Sequence, residues 1–145
     1  MPTGVGWVST EGSIVAIIVQ ADIENVFGQR NVAIWSNLDN NSETADTSRI
    51  TVAIATAEDA ISDRLRSSRY IVPLTPNGSH SYTVKNWAAV LAGHWLYSSR
   101  VRGDETSSVA AQHAQVMAEM DAVAAGGRGI DYATKERAGT APWVA

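Results

Sequence analysis

Between Ser48 and Ser68, the residues Ile50, Ala53, Ile54, Ala57, Ile61 and Leu65 recur at three- and four-residue intervals. Arg49, Glu58, Asp59, Asp63 and Arg66 fall mostly on the other faces. That spacing places one apolar stripe along a long helix and does not fit the two-residue period of a strand. Small side chains at Ala53, Ala57 and Ala60 allow a neighbouring helix to come close, so the fold expected is a bundle. The polar loop "DNNSETADTS" from Asp39 to Ser48 delivers Asp46 or Thr47 as the N-terminal cap of this helix.

The remaining chain divides around that element. Gln20 to Phe27 reads as a short acidic helix with Ile23, Val26 and Phe27 on one face, stopped by Gly28. Asn31 to Leu38 reads as a second short helical turn. After the turn signal Pro76-Asn77-Gly78, a helix starting near Thr83 carries Val84, Trp87, Ala88, Leu91, Trp95 and Leu96 on a broad apolar face. Its indoles are expected to fill the space left by the alanines of the preceding helix. Gly103 breaks the chain, Asp104 or Thr106 caps the next helix, and Val109, His113, Val116, Met120 and Val123 mark its buried stripe. The three glycines of "GGRG", from Gly126 to Gly129, then stop helix growth.

The fold class expected is therefore mainly α: a small bundle of two short and three longer helices. The apolar run Ile14 to Val19 is a candidate strand, or an extended arm. Three regions result: an N-terminal arm over residues 1–19, a helical domain over 20–125, and a C-terminal tail over 126–145. The arm holds one large apolar group, Trp7, and the tail ends in "GTAPWVA", which displays Trp143 and Val144 beside a stiffening Pro142.

Composition narrows the function classes. With 145 residues, 45% apolar and 18% charged, the chain is expected to form one globular domain. A formal charge of -4 gives no general attraction to phosphate backbones. The absence of cysteine excludes disulfides and thiolate metal sites, and a cytoplasmic origin is the plain expectation. The run Ile14 to Val19 is too short to span a bilayer and lacks the flanks of a signal peptide, so no membrane association is expected.

No constellation of catalytic residues is visible, and neither enzymatic activity nor a cofactor is expected. Asp39, Asn41 and Glu43 alternate as calcium ligands do, but Thr44 stands where the loop needs glycine and Ile50 where it needs a bidentate glutamate. His80, His94 and His113 lie in a loop and on two helices without metal-ligand spacing. His113 is read as a core or interface imidazole and His94 as a packing residue. "GGRG" lacks the lysine and the strand–helix context of a phosphate loop. Glu58 and Asp59 are adjacent on a helix and point in different directions.

Arg64, Arg66, Arg69, Arg100 and Arg102 gather at the C-terminal ends of the two long helices, where cations complement the dipole. Capping does not account for the segment just beyond Arg69. Tyr70-Ile71-Val72-Pro73-Leu74 cannot continue the helix, because Pro73 lacks an amide hydrogen and restricts Val72. Arg69, Tyr70, Ile71, Pro73 and Leu74 thus form an extended apolar ledge, packed either on the chain's own bundle or against a neighbouring subunit.

The order of parts, "DIENVFG", "WSNLDN", a long alanine-rich helix, "AISDRLRSSRYIVPL" and "VKNWAAVLAGHWLYSSR", resembles the head-tail adaptor (connector, or head-completion) proteins of tailed bacteriophages, especially the Mu-like branch. The resemblance runs from about Gln20 to Met120 and implies a ring, commonly of twelve subunits, beneath the portal vertex. Such a ring prolongs the DNA channel, lets DNA pass without specific binding, and docks the next neck, stopper or tail-completion protein. The localisation implied is the connector region of the virion, after assembly in the host cytoplasm. Trp7, Arg69, Tyr70, Ile71, Pro73, Leu74, Trp143 and Val144 are then the candidate subunit or portal contacts. The rival from another class is a small cytoplasmic binding module or regulator that uses the arginine cluster to hold an acidic ligand or nucleic acid.

Overall fold

The computed structural model describes residues 16–38, 44–100 and 107–135. Five helices succeed one another, α1 Gln20–Phe27, α2 Gln29–Ser36, α3 Thr47–Leu65, α4 Tyr82–Arg100 and α5 Ser107–Ala124, and the described residues form no strand. The mainly helical bundle of two short and three longer helices is the one expected.

Local chemistry sets the boundaries. At the start of α1 the Asp22 carboxylate accepts the Val19 N–H at 2.9 Å, one half of a capping box. Gly28 joins α1 to α2 with φ +95, a region that side chains disfavour; its N–H donates to Glu24 O and its carbonyl accepts from Val32 N. One residue thereby ends one helix and begins the next, so α2 starts two residues earlier than the sequence suggests. Asp46 caps α3 by accepting the Arg49 N–H at 3.2 Å, and its own N–H donates to the buried Ser36 hydroxyl at 2.9 Å.

The α3 stripe is buried at Ile50, Ala53, Ala57, Ile61 and Leu65, whereas Ala60 is exposed. The centre of the bundle is α4, which packs against all four other helices. Its run from Trp87 to Gly93 is consequently buried without interruption, the pattern of a helix surrounded by protein. Arg49 near the start of α3 lies over Trp95 near the end of α4, so these two helices are antiparallel. α5 returns alongside, contributing Val109, Val116, Met120 and Val123 to the core. The indole N–H of fully buried Trp87 donates to Glu119 Oε1 on α5 at 2.9 Å.

The candidate strand does not form where the chain is described. Residues 16–19 run extended, with Ile18 buried, because an all-helical bundle offers them no sheet edge to pair with. Their backbone instead finds a side-chain acceptor on α3.

Candidate functional site

The exit from α3 is built from Ser68 onward. The Ser68 hydroxyl donates to Leu65 O at 2.6 Å and accepts the Tyr70 N–H at 3.1 Å, turning the chain out of the helix. The Tyr70 side chain points inward and is 1% exposed; Leu74 is also buried, and both belong to the main core. The peptide bond between Val72 and Pro73 is cis. Ile71 and Val72 are half-buried, and Arg69 and Pro73 face outward.

A second segment of the chain covers this exit. Beyond α5 the backbone returns, and residues 131–135 pair with 69–77 through two isolated antiparallel bridges, Tyr70 with Thr134 and Pro76 with Tyr132. Ile71 N donates to Ala133 O, Ala133 N to Thr75 O, Lys135 N to Arg69 O and Asn77 N to Asp131 O. Two tyrosines lock the pairing from inside. Tyr70 Oη accepts the Ile130 N–H at 2.8 Å, and Tyr132, 2% exposed, accepts the Ser81 N–H at 3.1 Å and meets His80 Nδ1 at 2.9 Å. Burial, with Lys85 close by, holds the His80 imidazole below its ordinary value. Lys135 Nζ donates to Arg66 O at 2.8 Å, a cation on the C-terminal carbonyls of α3. The region drawn as tail from residue 126 therefore includes a portion, up to Lys135, that is part of the packed bundle.

The N-terminal side is moored on the same helix. Ile17 N donates to Glu58 Oε2 at 2.6 Å, and Ile18 N also faces this carboxylate. Burial pushes the Glu58 carboxyl above its ordinary value of 4.5; the two backbone donors work against that rise without cancelling it, and Asp59 adds to it. Both ends of the described chain thus leave the bundle from α3: one from its middle, the other from its C-terminal end.

The arginines do not form one cluster. Because α3 and α4 are antiparallel, Arg64, Arg66 and Arg69 lie at one end of the bundle and Arg100 at the other, where its guanidinium donates to the carbonyls of Ile34 and Asn37 and closes α2. Arg64 pairs with Asp121 at 2.8 Å and Arg66 with Asp63 at 3.0 Å, both in solvent. Arg102, Trp7, Trp143, Val144 and residues 39–43 of the calcium-like loop lie outside the described residues. The described residues include no group of three or more His, Cys, Asp or Glu able to hold a metal ion.

His94 and His113, unrelated by sequence spacing, are stacked at 3.9 Å with an 18° interplanar angle. They line a cleft of about 380 Å³ between α3 and α5, floored by Leu91 and Trp95 of α4. No helix of the described residues is long and apolar enough to cross a membrane.

Sequence reasoning missed the residues that carry this arrangement. Tyr132 stands alone between short polar segments, and an isolated aromatic beyond a helix stop is a signal that the chain returns to the core. Glu58 gives no such signal, because its acceptor role depends on a segment 41 residues away.

The model of the family described as Bacteriophage Mu, Gp36 matches residues 18–143, from the moored N-terminal segment through all five helices and the returning segment. The chain belongs to the Bacteriophage Mu Gp36 family. Among curated proteins no match is found. Membership makes this a bacteriophage protein of the structural or morphogenesis class, associated with the virion.

Proposed function

We propose that this Gp36-family protein is a head-tail adaptor that forms a ring beneath the portal, prolongs the DNA channel and joins the capsid to a downstream neck, stopper or tail-completion protein. The observation that carries the reading, beside the family, is the pinning of both chain ends to one rigid helix. Glu58 holds the N-terminal segment, and the Tyr70–Thr134 and Pro76–Tyr132 backbone bridges hold the C-terminal one. Segments that leave a bundle from fixed points are suited to reach a partner at a defined distance, since their attachment loses little further entropy on binding. Residues 1–15 and 136–145, with Trp7, Trp143 and Val144, are the arms of this reading, and the portal and the neighbouring subunit are their partners. The exposed part of the exit, Arg69 and Pro73 with half-buried Ile71, is the remaining contact surface, because Tyr70 and Leu74 are committed to the chain's own core.

The ring, with twelve subunits as the resemblance implies, is built from one repeated head-to-tail contact. It acts without catalysis and without a cofactor, and DNA passes through it unbound, as the charge of -4 favours. The regulator reading loses its main support, because its arginines stand at opposite ends of an antiparallel pair.

The test is assembly. Sedimentation velocity and negative-stain microscopy, with and without the portal protein, are expected to give a ring-sized particle. Trp143→Ala is expected to weaken portal capture while leaving helicity intact. A protein that stays small under both conditions and binds DNA in a salt-sensitive manner overturns the proposal.

A further inference from the structure

The loop between the α3 exit and α4 carries a reactive pair of residues. Asn77 is the only one of seven asparagines that glycine follows, and Asn77, Gly78 and Ser79 are all exposed. An asparagine amide is lost when the next backbone nitrogen attacks its side-chain carbonyl, and the side chain of that next residue normally obstructs the approach. Here there is no such side chain, and a Cβ placed at Gly78 would meet nothing within 4 Å. The Gly78 N–H has no hydrogen bond among the described residues, so no pairing withholds it. Asn25, Asn31 and Asn86 lie inside helices, where the following nitrogen is tied into the helical ladder.

Asn77 also holds the end of the returning segment. Its Nδ2 donates to Asp131 Oδ1 at 2.7 Å and its backbone N–H to Asp131 O at 3.3 Å, beside the bridge between Pro76 and Tyr132. The loop that follows is fixed at its far end, because the Ser81 N–H donates to the Tyr132 hydroxyl. A change at residue 77 is therefore transmitted to residues 131 and 132. The side-chain bond lies in solvent, so it opens readily and delays attack at Asn77 without preventing it.

We propose that Asn77 is a site of spontaneous deamidation, and that its conversion loosens the segment over residues 130–135 that closes the α3 exit. The Gly78 nitrogen bonds to Asn77 Cγ and gives up its proton, Nδ2 leaves as ammonia, and a succinimide ring closes. Water then opens the ring: attack at Cγ yields aspartate, and attack at the main-chain carbonyl yields isoaspartate. One water enters and one ammonia leaves. Either product replaces an amide donor by a carboxylate facing the Asp131 carboxylate, so a hydrogen bond to a charged group becomes a like-charge contact. Isoaspartate also lengthens the main chain by one methylene between two fixed points, the Pro76 bridge and Ser81. The conversion depends on water and time alone and requires neither the ring nor the portal.

In the experiment the full chain is incubated at mildly alkaline pH, where the attacking nitrogen loses its proton more readily, and in parallel at mildly acidic pH. Peptide mass mapping with isoaspartyl methyltransferase labelling reads the conversion, and limited trypsin digestion at Arg128 and Lys135 reads the mooring. Asn77 is expected to convert ahead of every other asparagine, faster at alkaline pH, and the converted protein to be cleaved about five-fold faster. Gly78→Ala is expected to keep Asn77 as the amide, and Asn77→Asp to be cleaved at the faster rate without incubation. Adding Asp131→Asn to Asn77→Asp restores a donor facing an acceptor and is expected to return cleavage toward the parent rate, with circular dichroism checking the helices of each variant. Conversion at Asn77 no faster than at the other asparagines overturns the proposal. So does cleavage of the converted protein or of Asn77→Asp at the parent rate, or an Asp131→Asn addition that restores nothing.

Discussion

Gly93 offers the most direct test of how the bundle is packed. It lies in the middle of α4 and is buried, and a Cβ placed there would stand 2.1 Å from Cε2 and 2.4 Å from Cδ2 of Phe27. Two opposing terms decide the outcome of Gly93→Ala. Alanine gains about 1 kcal/mol over glycine in a helix interior. Carbon atoms need about 3.5–4.0 Å, however, so the Phe27 ring must retreat by about 1.5 Å. Retreat is obstructed: Phe27 packs edge-on against Trp35 at 5.3 Å, and Trp35 against Tyr97 at 5.0 Å, so three rings must move together. Overpacking of this kind costs about 1–3 kcal/mol, and here the upper end applies because the displaced ring has packed neighbours. The expected net effect is a loss of about 2 kcal/mol, read in urea denaturation as a lower midpoint at unchanged slope. Adding Phe27→Leu should recover part of that loss, giving a coupling that non-contacting sites lack. A Gly93→Ala protein as stable as the parent, or more so, would refute the close approach of α1 to α4.

The moorings give two more expected outcomes. Because the folded-state value of Glu58 is raised above 4.5, its contribution to stability is fully present below the unfolded value and is lost as pH rises through the folded one. Urea midpoints of the parent minus those of Glu58→Gln are therefore expected to fall as pH rises from the ordinary carboxylate value through the raised one, modestly, since this carboxylate is partly solvated; a difference that rises with pH would contradict the burial argument. Tyr132→Phe removes the acceptor for Ser81 N and is expected to cost about 1–2 kcal/mol. It should also speed tryptic cleavage at Arg128 and Lys135, and unchanged cleavage would mean that the returning segment is held by its backbone pairing alone.

The elements that can be read from sequence are those whose signal is local. The α3 stripe, the Asp46 cap and the Gly28 stop each depend on a few adjacent residues, and the structure has them at those positions. The errors arise where the deciding contact is distant. Gly93 gives no signal inside an apolar helix, because the Phe27 ring that requires it lies 66 residues earlier. The arginines read as one cluster because two helix C-termini resemble one another in sequence, and the antiparallel packing of α3 on α4 parts them. His94 and His113 read as separate and are stacked.

The extended segment after Arg69 shows the division most clearly. Sequence alone determined that the helix must end before Pro73 and that an apolar, aromatic segment must come next, since a ring-locked backbone without an amide hydrogen admits no other local outcome. It left open whether that segment faces its own bundle or another subunit. Tertiary structure decided this: residues 131–135 supply the missing backbone partners, and Tyr70 and Leu74 turn inward beneath them. Backbone dihedral limits are properties of neighbouring residues, whereas the burial of a side chain depends on which distant part of the chain arrives to exclude water from it.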